Sequence, residues 1–152
     1  MKKPKSFLEI KVIWKDHGMI ALEVIASNGI FCGKTEVLEF PEDLQEFSEK
    51  LKTYSKIEEH YLSYKPKIET NYNRFFMKYY KSDYFGKRLM DTKIVVGSFT
   101  GGKHTVELEI IFDINALELF QKELSELARN EEGTATLYGV DSSLFEKENT
   151  SP

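Results

Sequence analysis

A single cysteine, Cys32, leaves no partner for a disulfide within the chain, so a packed core has to hold the fold. Histidine is scarce as well. His17, His60 and His104 are scattered, and none of them stands at the close spacing that recurrent zinc sites use. Long apolar runs are missing too. A secretory signal needs an unbroken apolar stretch of about 7–15 residues and a membrane span about 20, whereas the lysine-rich start is followed by residues interrupted at Glu9, Lys11 and Lys15. These absences together read as a cytoplasmic protein with no membrane partner. Asn149-Thr150-Ser151 fits a glycosylation sequon, which without an export signal is chance.

What is present suffices for one domain. The 152 residues are 41% hydrophobic and 13% aromatic, enough to fill a core without metals or cross-links. The expected layout is a single domain over 1–152, ordered from about 6 to 140, with a tail over 141–152. The overall charge of −4 is unevenly spread. From Tyr61 to Met90 there are seven basic residues against two acidic ones, so that segment is +5 and the remainder −9.

Strand patterns open the chain. Leu8, Ile10, Val12 and Trp14 alternate through Phe7–Trp14, and Ile20, Leu22 and Val24 share a face of the return strand. Asp16-His17-Gly18 is turn chemistry, and Asn28-Gly29 suits a type I′ hairpin, whose central residues need positive φ. A third strand, Ile30–Phe40, alternates poorly, and Gly33 suggests a bulge moving the inward face from Phe31 to Leu38 and Phe40. Pro41 then opens a helix with Glu42 and Asp43 at its positive end and an apolar stripe of Leu44, Phe47, Leu51 and Tyr54.

A similar unit follows. Ile94 and Val96 lie on one face of a strand, Gly101-Gly102 turns the chain, and Val106, Leu108, Ile110 and Phe112 alternate with Thr105, Glu107 and Glu109. Asp113 or Asn115 can cap a helix striped by Leu117, Phe120, Leu124, Leu127 and Ala128. Leu44, Phe47 and Leu51 match Leu117, Phe120 and Leu124 in type and spacing, and Phe40 and Phe112 each end the preceding strand. Duplication and convergence both fit. Between the halves, Ile57–Tyr64 suits helix or strand, the aromatics of Tyr72–Lys81 favour a strand, and Thr134–Val140 suits a short edge strand. The fold class is therefore α+β: amphipathic helices on an antiparallel sheet, in two strand-strand-helix halves.

Motifs for chemistry fail on inspection. Gly97-Ser98-Phe99-Thr100-Gly101-Gly102-Lys103 has phosphate-loop spacing, but His104 stands where Ser or Thr should hold magnesium, and a strand follows where a helix must. Cys32, beside Gly33 in a strand, reads as a small packing residue. The carboxylates fall on outward positions and suggest no acid/base pair. The expectation is a non-enzyme with no cofactor and no metal. An enzyme with an unfamiliar site would need a pocket where Cys32, His17 or His104 meets a carboxylate.

The basic aromatic middle is the feature most open to function. Lys65, Lys67, Tyr72, Arg74, Lys78, Tyr80, Lys81, Lys87 and Arg88 form a candidate interaction surface. Interleaved rings and cations suit protein contact, since Tyr and Arg favour interfaces. They also suit single-stranded nucleic acid, although the acidic remainder repels phosphate. The plainer alternative puts the rings in the core and leaves the lysines in water.

Around the first hairpin and helix, Ala26-Ser27-Asn28-Gly29, Gly33-Lys34-Thr35-Glu36-Val37 and Pro41-Glu42-Asp43-Leu44 resemble a group of uncharacterised bacterial proteins. Gly102, His104, Val106, Glu107 and Leu108 match a later stretch of that group, and the resemblance lapses through the basic aromatic middle. The layout is also distantly similar to immunity proteins of contact-dependent toxin systems. The resemblance implies a small binding protein that masks a partner protein, and it transfers no catalytic residue. An exposed edge strand would also permit a homodimer.

Overall fold

Strand β1 (Ser6–Asp16) reverses into β2 (Met19–Asn28) through His17 and Gly18, at φ 51° and 80°. Two consecutive positive φ angles are the mark of a two-residue I′ turn. The I′ geometry expected at Asn28-Gly29 therefore sits one hairpin earlier. Asn28 caps a longer loop into β3 (Cys32–Glu39), its side-chain oxygen accepting from the amides of Ile30 (3.0 Å) and Phe31 (2.8 Å). Helix α1 (Pro41–Tyr54), β4 (Tyr61–Tyr64), β5 (Arg74–Lys81), β6 (Leu89–Ser98), β7 (His104–Asp113), α2 (Ile114–Asn130) and β8 (Thr134–Tyr138) follow. The computed structural model describes residues 6–54, 61–70, 72–81, 89–99 and 102–140.

The expected α+β class holds, with the antiparallel layer divided into two four-stranded sheets ordered β3-β2-β1-β8 and β4-β5-β6-β7. Each half runs three strands, a helix and a fourth strand. In each, the fourth strand leaves its own half and joins the other half's sheet. Thus β4 pairs with β5, and β8 pairs with β1. The inward rows correspond position by position: Ala135, Ile10, Val24 and Thr35 cross the first sheet as Tyr64, Met77, Ile94 and Leu108 cross the second. This correspondence of whole sheets extends the likeness of the two helical stripes.

The helices run antiparallel against each other. The Gln45 amide donates to Ser125 Oγ (3.0 Å), and the Gln121 amide donates to the Ser48 carbonyl (3.2 Å). Their stripes are buried, Leu44, Leu51, Leu117, Phe120 and Leu124 being at most 1% exposed. Helix α1 lays Phe47 against Tyr64 of β4 and Tyr79 of β5, at ring distances of 4.6 and 6.0 Å. Helix α2 packs on β8, where Glu123 accepts from the Thr136 amide (3.0 Å). Asp113 is the N-cap, accepting from the Ala116 amide at 2.8 Å. One continuous core joins both sheets and both helices. Each fully buried Leu, Ile or Phe contributes about 1.5–3 kcal/mol.

The sheets cross where β3 passes over the second one. Thr35 Oγ1 donates to the Gly97 carbonyl, and the Asn73 side-chain amide to the Glu36 carbonyl, each at 2.7 Å. Gly33 makes no bulge, because the β2–β3 ladder runs unbroken from Ser27–Cys32 to Ile20–Glu39. Its bareness serves this crossing instead: a Cβ there would meet Val106 Cγ1 at 2.7 Å. The irregularity lies in β1, between Val12 and Trp14, and it turns Trp14 outward to 46% exposure. With no bulge in β3, Thr35, Val37 and Glu39 face inward, Leu38 faces outward, and Phe40 is exposed. Glu39, not Phe40, therefore occupies the position of Phe112. Cys32 is exposed at the strand's start instead of packed in the interior.

Candidate functional site

The basic aromatic segment divides by the two-residue period of its strands. Tyr64, Phe75 and Tyr79 enter the core. Tyr61, Arg74, Phe76, Lys78 and Tyr80 point the other way, onto the outer face of the second sheet. Of the seven described rings of the segment, these three fit the core reading and four do not. On the outer face Tyr61 and Tyr80 are cross-strand partners, and the Lys78 ammonium lies 4.7 Å from the centre of the Tyr61 ring. That arrangement is a cation–π contact worth about 0.5–1 kcal/mol at an exposed site.

Carboxylates from neighbouring strands complete this face. The Tyr80 hydroxyl donates to Glu109, and Lys93 pairs with Glu107. Asp91, opposite Tyr80, is only 4% exposed, and its Oδ1 has no hydrogen-bond partner. Burial first, then the charge of Glu109, pushes its carboxyl up to about 6. The same burial and the hydrogen bond to Glu109 raise the Tyr80 phenol well above its ordinary value. These acids escaped the sequence reading because β6 and β7 bring them in from outside the segment. Glu107 and Glu109 did stand out as outward residues, and the pairing of β5, β6 and β7 is what the alternation pattern alone does not supply.

Other members of the expected surface lie elsewhere. Lys65 and Lys67 sit on the β4–β5 connection, Lys65 bound to Glu69 (2.8 Å) and Lys67 to Asp43 (3.3 Å). Tyr72 is 69% exposed at the sheet's end, edge-on to Phe99 with ring centres 6.5 Å apart. Lys81 closes β5 opposite Met90; Lys87 and Arg88 fall outside the described residues. The structure brings Arg74, Lys78 and Tyr80 onto one face, with Tyr72 at its margin.

The β4–β5 connection is fixed from beneath. Glu39 is fully buried and accepts from the Tyr64 hydroxyl and from the amides of Phe40 (2.8 Å) and Lys67 (3.3 Å). Desolvation raises the Glu39 carboxyl despite these donors, and raises the Tyr64 phenol further. Beside this latch opens a groove of about 440 Å³ between β3, the connection and β5.

No cluster of His, Cys, Asp and Glu suited to a metal occurs among the described residues. His17 pairs with Asp16 in the first turn, while His104 begins β7 at the hairpin of the second sheet. Past Gly102 the chain enters β7, so a strand follows where a phosphate loop would need a helix. No helix among the described residues is long and apolar enough to cross a membrane. Compared with known proteins, the chain matches no family model and no curated protein.

Proposed function

We propose that this chain is a small cytoplasmic protein-binding module that contacts its partner through the outer face of the second sheet and the loops at its end. One observation carries the reading: three cations of that region are already paired with carboxylates. Lys93 has Glu107, Lys65 has Glu69 and Lys67 has Asp43. A surface of mixed sign with exposed tyrosines suits the polar, aromatic-rich contacts of a protein interface. A phosphate backbone would instead meet Glu107 and Glu109.

A narrower form of the proposal follows the resemblance to immunity proteins: the module caps the active surface of a toxin-like enzyme. Its test is a photo-cross-linking amino acid placed at Tyr72 and, as a control, at Glu118 on α2. In the native host, one stoichiometric protein captured from Tyr72 and absent from Glu118 supports the module. Equal capture from both positions, or none, refutes it. Co-expression with a toxin encoded beside the gene tests the narrower form, which fails if growth is not restored.

A second reading has one observation in its favour. Arg74, Phe76, Lys78 and Tyr80 alternate cation and ring along the outward face of β5, the ingredients of a single-strand platform. It requires oligonucleotide binding that weakens steeply with salt, and it falls if a low-salt titration gives no response.

A further inference from the structure

Among the buried positions at which the two halves differ, one pair lies beside a groove. Glu39 and Tyr64 stand where the other half has Phe112 and Ala135. A buried carboxylate is costlier than a phenyl ring unless donors satisfy it. The donors here include Tyr64 and the Lys67 amide, so the latch fixes the connection that carries them. The far end of that connection is held by Asn73, which bonds Thr70 and reaches the Glu36 carbonyl.

Between these pins the groove has an apolar floor, with Val37, Pro66 and Phe75 buried and Ile68 and Phe76 half-buried. Its rim carries Lys65, Glu69 and Arg74. Lys65 and Glu69 neutralise each other, while Arg74 has no carboxylate partner among the described residues, which leaves the groove one uncompensated positive charge. Its volume lies in the lower part of the ~300–1,000 Å³ range of ligand sites, suited to one or two side chains. A wall already pinned at both ends loses little entropy on binding.

We propose that this groove docks a short acidic segment of a partner protein, an apolar side chain resting on Val37 and Phe75 and a carboxylate meeting Arg74. The inference rests on the protein-binding reading above. A single free cation matches one carboxylate better than a run of phosphates.

The test is an amide-resolved NMR titration of the whole chain with two capped pentapeptides, Asp-Leu-Phe-Glu-Asp and Lys-Leu-Phe-Arg-Lys, and with a short oligothymidylate. The acidic peptide is expected to shift the amides of Ile68, Thr70 and Arg74. Its binding weakens about tenfold in Arg74→Glu and stays unchanged in Lys11→Glu on the other sheet. Arg74→Ala, an exposed truncation, gives a smaller loss and guards against misfolding of the reversal. No shift at the groove, equal response to the basic peptide, or displacement by oligothymidylate overturns the proposal. A cross-linked partner whose capture ignores Arg74→Glu removes the groove and leaves the binding module standing. Absence of any captured protein removes the module itself.

Discussion

Gly33→Ala tests the crossing of the two sheets, because the added methyl is aimed at a specific atom. The new Cβ would lie 2.7 Å from Val106 Cγ1 and 3.3 Å from Val96 Cβ. The first distance is well inside van der Waals contact, and Val106 belongs to the paired strand β7. Overpacking of this kind costs about 1–3 kcal/mol. Val106→Ala removes the clashing atom and, from a half-buried site, costs about 1 kcal/mol. In that background Gly33→Ala meets only the tight contact to Val96, and loss of unfolded-state freedom repays about 0.4–1 kcal/mol. The same substitution should therefore be destabilising in the native background and near neutral beside Ala at position 106. Urea unfolding of the four proteins, with unchanged m-values, reads the coupling directly. Additive effects, or a neutral Gly33→Ala in the native background, would refute the crossing.

Other expectations follow from the same geometry. Tyr64→Phe strands a buried oxygen of Glu39 and should cost about 1–3 kcal/mol, whereas Glu39→Met with Tyr64→Phe should recover most of the loss; denaturant midpoints decide. Asp91 has a folded pKa near 6 against an ordinary 3.8, so its contribution is fully present below the lower value and lost as pH rises through the upper one. Asp91→Asn should thus gain stability relative to the native chain between about pH 4 and pH 7, and an unchanged difference across that range would contradict the burial. The sole tryptophan, Trp14, is turned outward by the irregularity in β1, so its fluorescence should be readily quenched by iodide in the folded protein; a blue-shifted, protected indole would place it inside.

Much of this architecture was legible from local pattern. The helical stripes, the capping Asp113 and the clean alternation of β7 each stem from residues whose burial is decided within their own element. The misread positions were set by distant partners. Gly33 looked like a bulge because a bare residue in a strand has two physical causes, and its cause, Val106, lies in the other half. Trp14 continued the alternation until a register shift against β2 inverted it. Glu39 is acidic and reads as outward, yet Tyr64 and two amides satisfy it inside. The exchange of fourth strands leaves no mark on periodicity, since β4 and β8 would look the same in either sheet. For the candidate site, the cations and rings were visible in one segment. The carboxylates that change its character were not, because strand pairing supplies them.

The Glu39 latch and the Tyr61–Lys78 contact depend on that exchange, since β4 carries Tyr61 and Tyr64 to their places beside β5. The most direct measurement is an NMR map of cross-strand contacts between backbone protons. It should pair Leu8 with Leu137 and Ile10 with Ala135 in one sheet, and Tyr64 with Met77 in the other. Contacts placing β8 beside β7, or β4 beside β3, would keep each half to itself and contradict the account.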